Sequence, residues 1–276
     1  MFKNLTPLPF NAFATGLTLF LFANPVTAQS VEFEWQQTAS NKAQPLTQFD
    51  HYAVHIDLQA VLVGIERRSF GASQAQDNSG LDLDHVYIGA QYLAQVSDNY
   101  AIWPLLQVIS GYDDNMTGKS LTYNPQLVAI RKLSENIAIV AGAGALLHTT
   151  ENQYYPVFGL VLQPSANSPW SGNLTVPEGL IAYEVNEKIS LETGLRWQTR
   201  YYTTSEDQIG AAYLRTRDIL MSLGALTQLT SQLQLSSRVT YAFEREQRFY
   251  DSSANLSSSR KPSSGLGFRL ALSYHF

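Results

Sequence analysis

No cysteine occurs among the 276 residues. That excludes a disulfide framework and any thiolate metal site. Long apolar runs are also missing. Past the amino-terminal stretch, nothing approaches the roughly 18 uninterrupted apolar residues of a membrane-spanning helix. A basic excess is absent as well: the formal net charge is −5, which offers no positive field for nucleic acid. Histidines number only five, which leaves few candidates for acid–base chemistry.

What the chain does have is aromatics, with 15 Tyr, 13 Phe and 4 Trp, and a period of two. The last eleven residues place Leu266, Phe268, Leu270, Leu272, Tyr274 and Phe276 on every second position, with small or polar residues between. On a strand those six share one face. Such a face is buried against a soluble core or turned toward lipid, and repetition of the pattern along the chain decides for lipid.

The amino terminus sets the compartment. Lys3 is followed by a mostly apolar stretch over 13–22, a break at Asn24-Pro25 and the small residues of Val26-Thr27-Ala28. The run is shorter than the ~20 residues of a membrane span and reads as a secretory signal cleaved after Ala28, rather than a retained anchor. The expected organisation is a signal peptide over 1–28, a periplasmic arm or lumen plug over 29–49, and a β-barrel over 50–276.

Alternating rows recur along that last region. Tyr52, Val54, Ile56, Leu58, Ala60 and Leu62 form the first, opposite His55, Asp57 and Gln59. Val86 to Val96 forms the second, closed by Ser97-Asp98-Asn99. Strands follow over 100–112, where both faces are apolar, and over 121–133 and 137–147, joined by Ser134-Glu135-Asn136. The middle is read as strands over 155–163, 170–176 (ending at Pro177) and 179–185. The ninth strand carries Ile189, Leu191, Leu195, Trp197 and Tyr201 outward, and the tenth carries Ile219, Met221, Leu223 and Ala225. The eleventh runs through Val239, Tyr241 and Phe243, and the terminal strand is the twelfth. The expected fold is therefore all-β: a transmembrane antiparallel up-and-down barrel of twelve strands, with ten or fourteen as the neighbouring counts. Only helices and closed barrels satisfy every backbone polar group in lipid. Aromatics near the strand ends predict two girdles at headgroup depth: Trp103, Trp170, Tyr274 and Phe276 on the periplasmic side, and Tyr112, Tyr123, Trp197, Tyr201, Tyr202, Tyr213, Phe249 and Tyr250 outside.

The terminal Tyr274-x-Phe276 pattern resembles the assembly signal of bacterial outer-membrane β-barrels. The stretch from Trp170 to Pro177, with Leu180-Ile-Ala-Tyr183 and the turn at Asn186, resembles an uncharacterised family of such barrels of unknown function. The resemblance implies residence in the outer membrane, contact with its lipid and lipopolysaccharide, and engagement of the barrel-assembly machinery through the strand ending at Phe276. It implies no catalytic residue, cofactor or substrate.

On the rows expected to face inward, the charged residues are Asp57, Glu192, Arg196, Arg200, Asp218, Arg238, Glu244, Glu246, Arg248 and Arg269, five acidic and five basic. A balanced lumen makes ion-pair networks or a polar pore rather than a one-signed filter. The candidate lumen or solute-contact residues are Asp57, Glu192, Arg196, Arg200, Arg238, Glu244, Glu246 and Arg248. Inward glycines such as Gly142, Gly144, Gly194 and Gly224 leave room or relieve backbone curvature. Gly142-Ala-Gly144 lacks the third glycine and the helix of a dinucleotide loop. No histidine stands in the His-x-Ser-Asn arrangement of the outer-membrane phospholipase family, and no Gly-x-Ser-x-Gly elbow occurs, so no enzyme is expected. Acidic stretches at 77–84 and 113–115 lack the spacing of a calcium loop and read as solvated acids or divalent-bridged contacts to lipopolysaccharide. The functional expectation is a passive pore or carrier for small solutes, against a structural or surface-interaction barrel with a closed lumen. No cofactor, metal or nucleic acid is expected.

Overall fold

A computed structural model describes residues 29–38, 49–58, 60–70, 81–163 and 168–276. The expected signal segment, 1–28, lies outside them. The strands in chain order are β1 (Gln29–Thr38), β2 (Phe49–Leu58), β3 (Val61–Phe70), β4 (Leu81–Gln91), β5 (Ala94–Ser97), β6 (Tyr100–Tyr112), β7 (Leu121–Lys132), β8 (Ile137–His148), β9 (Asn152–Leu162), β10 (Trp170–Val176), β11 (Glu178–Asn186), β12 (Ile189–Thr203), β13 (Tyr213–Gln228), β14 (Leu233–Tyr250), β15 (Leu256–Arg260) and β16 (Gly265–His275). Each pairs antiparallel with its neighbour, and β1 pairs with β16 to close the ring. β4 and β5 share one stave beside β6, and β15 is a flap on the outer end of β14, so the wall has fourteen staves. Among the described residues no helix is long and apolar enough to cross a membrane.

Fourteen rather than twelve follows from two staves that the alternation did not separate. β1 pairs along its length with both β2 and β16, so residues 29–38 belong to the wall, where an arm or plug was expected; 39–48 lie outside the described residues. β3 was folded into the first strand. The chain reverses between Leu58 and Val61, and β3 turns Leu62, Gly64, Glu66 and Arg68 inward. The expected outward row through Leu62 thus holds only to Leu58.

The exterior follows from the rows. Phe33, Ile65, Ile88, Leu106, Leu127, Leu174, Leu191, Leu195, Met221, Leu223, Leu266 and Phe268 lie exposed around the middle of the wall. Exposed Tyr92, Tyr100, Trp170, Tyr183, Tyr274 and Phe276 ring the end that carries both described termini, and Tyr52, Tyr123, Tyr154, Trp197, Tyr241 and Phe243 ring the other. Six of the expected girdle aromatics are instead buried: Trp103 joins an apolar cluster, Tyr202 and Phe249 join another, and Tyr201, Tyr213 and Tyr250 pack around His148 and Glu151. Two-level aromatic rings around an apolar band are the signature of a lipid-spanning barrel.

Two local features shape the wall. β10 and β11 are short and turn at the cis Val176–Pro177 bond, so their hairpin stops well below its neighbours. The ladder to β9 ends at Val176↔Phe158, leaving Asn152–Val157 of β9 with no partner on that edge. The ladder to β12 starts at Glu178↔Arg196, with one further bond from the Trp197 amide to the Pro177 carbonyl. Freed above that point, β12 leans inward until Thr203 pairs in parallel with Tyr112 of β6. Gly111 permits this, because a Cβ there would lie 1.9 Å from the Tyr201 carbonyl oxygen.

Candidate functional site: a sealed lumen with a side window

The inward leaning of β12 closes the outer end. Phe49, Phe70, Leu81 and Leu83 from the tips of β2, β3 and β4 pack on Tyr202, Leu214 and Phe249. The β12–β13 connection adds Ile209 and Ala211. The Asp113 amide donates to the Thr203 carbonyl at 3.1 Å, and the Asp113 carboxylate accepts from the Ser205 amide, so this acid braces the seal. A second apolar cluster, built on Trp103, Val128, Ile130, Val140, Val157 and Val161, fills the periplasmic side beneath β6–β9.

Between the two lies a cavity of about 320 Å³. Its charged wall brings β1–β4 against β12, β13 and β16. Glu66 of β3 meets Arg200 of β12 across the lumen, with Oε2 accepting from Nη2 at 2.5 Å and Nε at 3.0 Å. His51 and His85 stand 3.4 and 3.9 Å from the same oxygen. Above, Arg68 lies over the Phe49 ring, 4.7 Å from its centre, and approaches Asp218 at 3.8 Å. Lower down, Arg269 donates to Glu34 at 2.6 Å and lies 3.3 Å from Glu32. Tyr87 fills the space beside Gly64, and its hydroxyl bonds His55 Nδ1 at 2.8 Å. The Glu32, Glu34 and His55 ligand atoms lie within 4.8 Å of one another, but the Arg269 guanidinium already holds the place of a cation there.

The opposite wall is uncharged, with amides and a tyrosine hydroxyl set among Leu105, Ile109 and Leu146. The Asn124 amide donates to Gln107 at 2.9 Å and accepts from the Tyr155 hydroxyl at 2.6 Å. Tyr155 takes the room beside Gly144, so this glycine seats a ring rather than widening the lumen. At the periplasmic level the cavity reaches Ser30, Asp57 and His275. At its other end it reaches Gln153, Tyr154, Pro177 and Trp197. These four border the gap above the short hairpin, so the cavity runs to a window in the wall. The window's upper margin is the β8–β9 tip. His148 stacks on Tyr201 with centroids 4.5 Å apart, and Glu151 accepts from Arg215 at 3.0 Å, Arg248 at 3.2 Å and the Tyr250 hydroxyl at 2.6 Å. Burial raises the Glu151 carboxyl, but the tyrosine hydroxyl and the two guanidiniums outweigh it and hold the group below the ordinary carboxylate value.

Of the expected lumen residues, Asp57, Arg196 and Arg200 line the cavity. Glu192 and Arg238 are buried inside the wall and paired with each other at 2.8 Å. Glu244, Glu246 and Arg248 are not in the lumen. A bulge between Ile219 and Leu220 on the β13–β14 ladder sets Phe243 and Glu244 both outward, and every residue of β14 beyond it changes face. Glu244 then pairs with Arg217 on the exterior, and Glu246 with Arg215, which is buried against Glu151 of the β8–β9 tip. The residues that sequence reasoning missed are Glu32, Glu34, Glu66, Arg68, His51, His85 and Tyr87. Four lie on β1 or β3, the unrecognised staves; the alternation of Glu66 and Arg68 with Ile65 and Arg67 was the available signal.

A closed antiparallel cylinder of even strand number, apolar outside between two aromatic rings and polar within, defines an integral membrane β-barrel of the bacterial outer-membrane type. No protein-family model and no curated protein matches the chain. Among solved structures it is similar to the NanC porin, with 8% identity, 90% of this chain and 100% of that one covered, and a TM-score of 0.45. An outer-membrane channel from Pseudomonas putida F1 gives 10% identity, 93% and 98% coverage, and a TM-score of 0.42. The KdgM porin gives 11%, 90% and 99%, and 0.39.

Proposed function

We propose that the protein is a narrow outer-membrane channel for small solutes, with a passage that bends inside the wall and is constricted by ion pairs. One observation carries this reading: a cavity of about 320 Å³, lined by both polar and apolar side chains, that reaches the periplasmic end. A barrel built only as a scaffold would bury its interior against itself. The carboxylates Glu34, Glu66 and Glu178 that border the cavity are paired with Arg269, Arg200 and Arg196, so small neutral solutes suit it better than ions. The outer apolar seal favours a second reading, a closed barrel whose exterior and loops are its working parts. On either reading the partners are outer-membrane lipid, lipopolysaccharide at the outer rim, and the assembly machinery at β16 and Phe276.

Reconstituted liposomes decide between the two. The channel reading expects swelling in glycerol or arabinose that exceeds protein-free vesicles, and small conductance steps in planar bilayers. Folded protein that gives neither removes the channel reading and leaves the closed barrel.

A further inference from the structure

The only long interruption of the wall among the described residues is the window between β9 and β12, and it sits at one particular height. Its flanking side chains, Tyr154 and Trp197, are 79% and 40% exposed and belong to the outer aromatic ring. That ring marks the headgroup level of the outer leaflet. The free edge of β9 is six residues long, about 20 Å at strand rise. A strand edge without partners is untenable in hydrocarbon, so this edge needs water, headgroups or a ligand beside it. Meanwhile the axial way out is shut by the β6–β12 pairing and the apolar cap.

We infer that the cavity is loaded from the side: small uncharged amphiphiles residing at the outer-leaflet interface enter between β9 and β12, over Pro177. The threshold chooses them. Tyr154, Trp197 and Pro177 present rings and apolar surface, while the room behind presents amides and hydroxyls from Gln153, Asn124 and Tyr155. An apolar tail stays against the rings and the outer leaflet, and the polar head finds hydrogen bonds inside. A full charge on the ligand is disfavoured, because the charged groups inside already hold one another. This inference rests on the channel reading, naming its outer entrance and ligand class.

The cysteine-free chain makes the test direct. The probe is a hexyl glucoside carrying one diazirine on its sugar and one on its tail, photolysed with the folded barrel in lipid vesicles and mapped by mass spectrometry. Labelling is expected at Tyr155 and Gln198 inside the cavity, as well as at Phe158 and Leu191 on the lipid face. T199C modified with a bulky maleimide at the window is expected to lose the interior labels and keep those on the lipid face. Y112C/T203C, oxidised to lock the axial seal, is expected to keep both. Interior labelling that survives the plugged window and vanishes when the seal is locked overturns the side entrance. So does the absence of interior labelling in every variant. Solute swelling of the same vesicles stands apart from these outcomes, so a channel with a different entrance is distinguished from no channel at all. Retained heat-modifiable migration on gels establishes that each variant is folded.

Discussion

Arg200→Ala removes the cation from the shortest of the ion pairs that tie β3 to the opposite wall of the lumen. Both partners are buried, with Arg200 4% and Glu66 8% exposed, so a lone Glu66 carboxylate is poorly solvated. At an effective dielectric of about 20 and a separation near 4 Å, the lost attraction is about 4 kcal/mol. Measured losses of one partner from buried pairs run at about 3–5 kcal/mol, chiefly because a charge is left stranded. His51 and His85 beside Glu66 offset part of this, which places the expected loss at the lower end of that range. Replacing both partners by apolar side chains, Glu66→Leu with Arg200→Met, strands nothing and is expected to restore most of the stability. Urea unfolding in lipid vesicles, followed by tryptophan fluorescence, measures the difference. In planar bilayers the single variant is also expected to conduct more than the parent. An Arg200→Ala barrel within about 0.5 kcal/mol of the parent, a change typical of surface sites, would refute the claim that this pair constricts the lumen.

Four further outcomes are expected. Leu223→Arg, in the middle of the exterior band, is expected to destabilise the barrel in lipid by about 2–4 kcal/mol, whereas Ser253→Arg in the β14–β15 turn leaves urea unfolding unchanged. Gly111→Val drives a side chain into the Tyr201 backbone and is expected to break the β6–β12 seal, read as raised conductance and faster amide exchange around Thr203. The Glu151 clasp has a pH sense fixed by its lowered carboxyl: a depressed folded value means its contribution is present above the unfolded carboxylate value and is lost as pH falls through the lower, folded one. Protection of the amides at 149–151, relative to their intrinsic exchange rates, is therefore expected to fall on acidification below pH ~4, and in Glu151→Gln to be low already at neutral pH. Phe276→Ala is expected to slow insertion by the assembly machinery while leaving the stability of already folded barrels within about 0.5 kcal/mol, as for a surface site.

Most of the wall was legible because lipid on one side and polar groups on the other impose a period of two with little exception. The terminal strand, β8 and the lower part of β12 were read with the correct face outward. Legibility failed where a break carried no chemical mark. The β2–β3 reversal has no Gly, Pro or Asn at residues 59–60, so two out-of-phase rows read as one. In β1 the outward row is only Val31, Phe33 and Trp35, too short to stand out beside the preceding segment. The bulge at Phe243 adds a single residue and silently reverses the face of Glu244, Glu246 and Arg248. The charged part of the site depends on all three, since it is assembled from β1 and β3 and excludes the outer half of β14. Pro177 was correctly read as the end of a strand. That a hairpin stopping there would free its neighbour to cross the barrel depends on the length of β12 against that of β11, a comparison no local pattern contains.

The brevity of β10 and β11 ties two features into one. Were that hairpin some six residues longer, β12 would stay zipped to it up to the rim. The slot beside β9 would vanish, and Thr203 would never meet Tyr112. Door and lid are thus a single architectural decision, and a modest insertion at Pro177 would turn a vessel with a blocked top into a plain open tube.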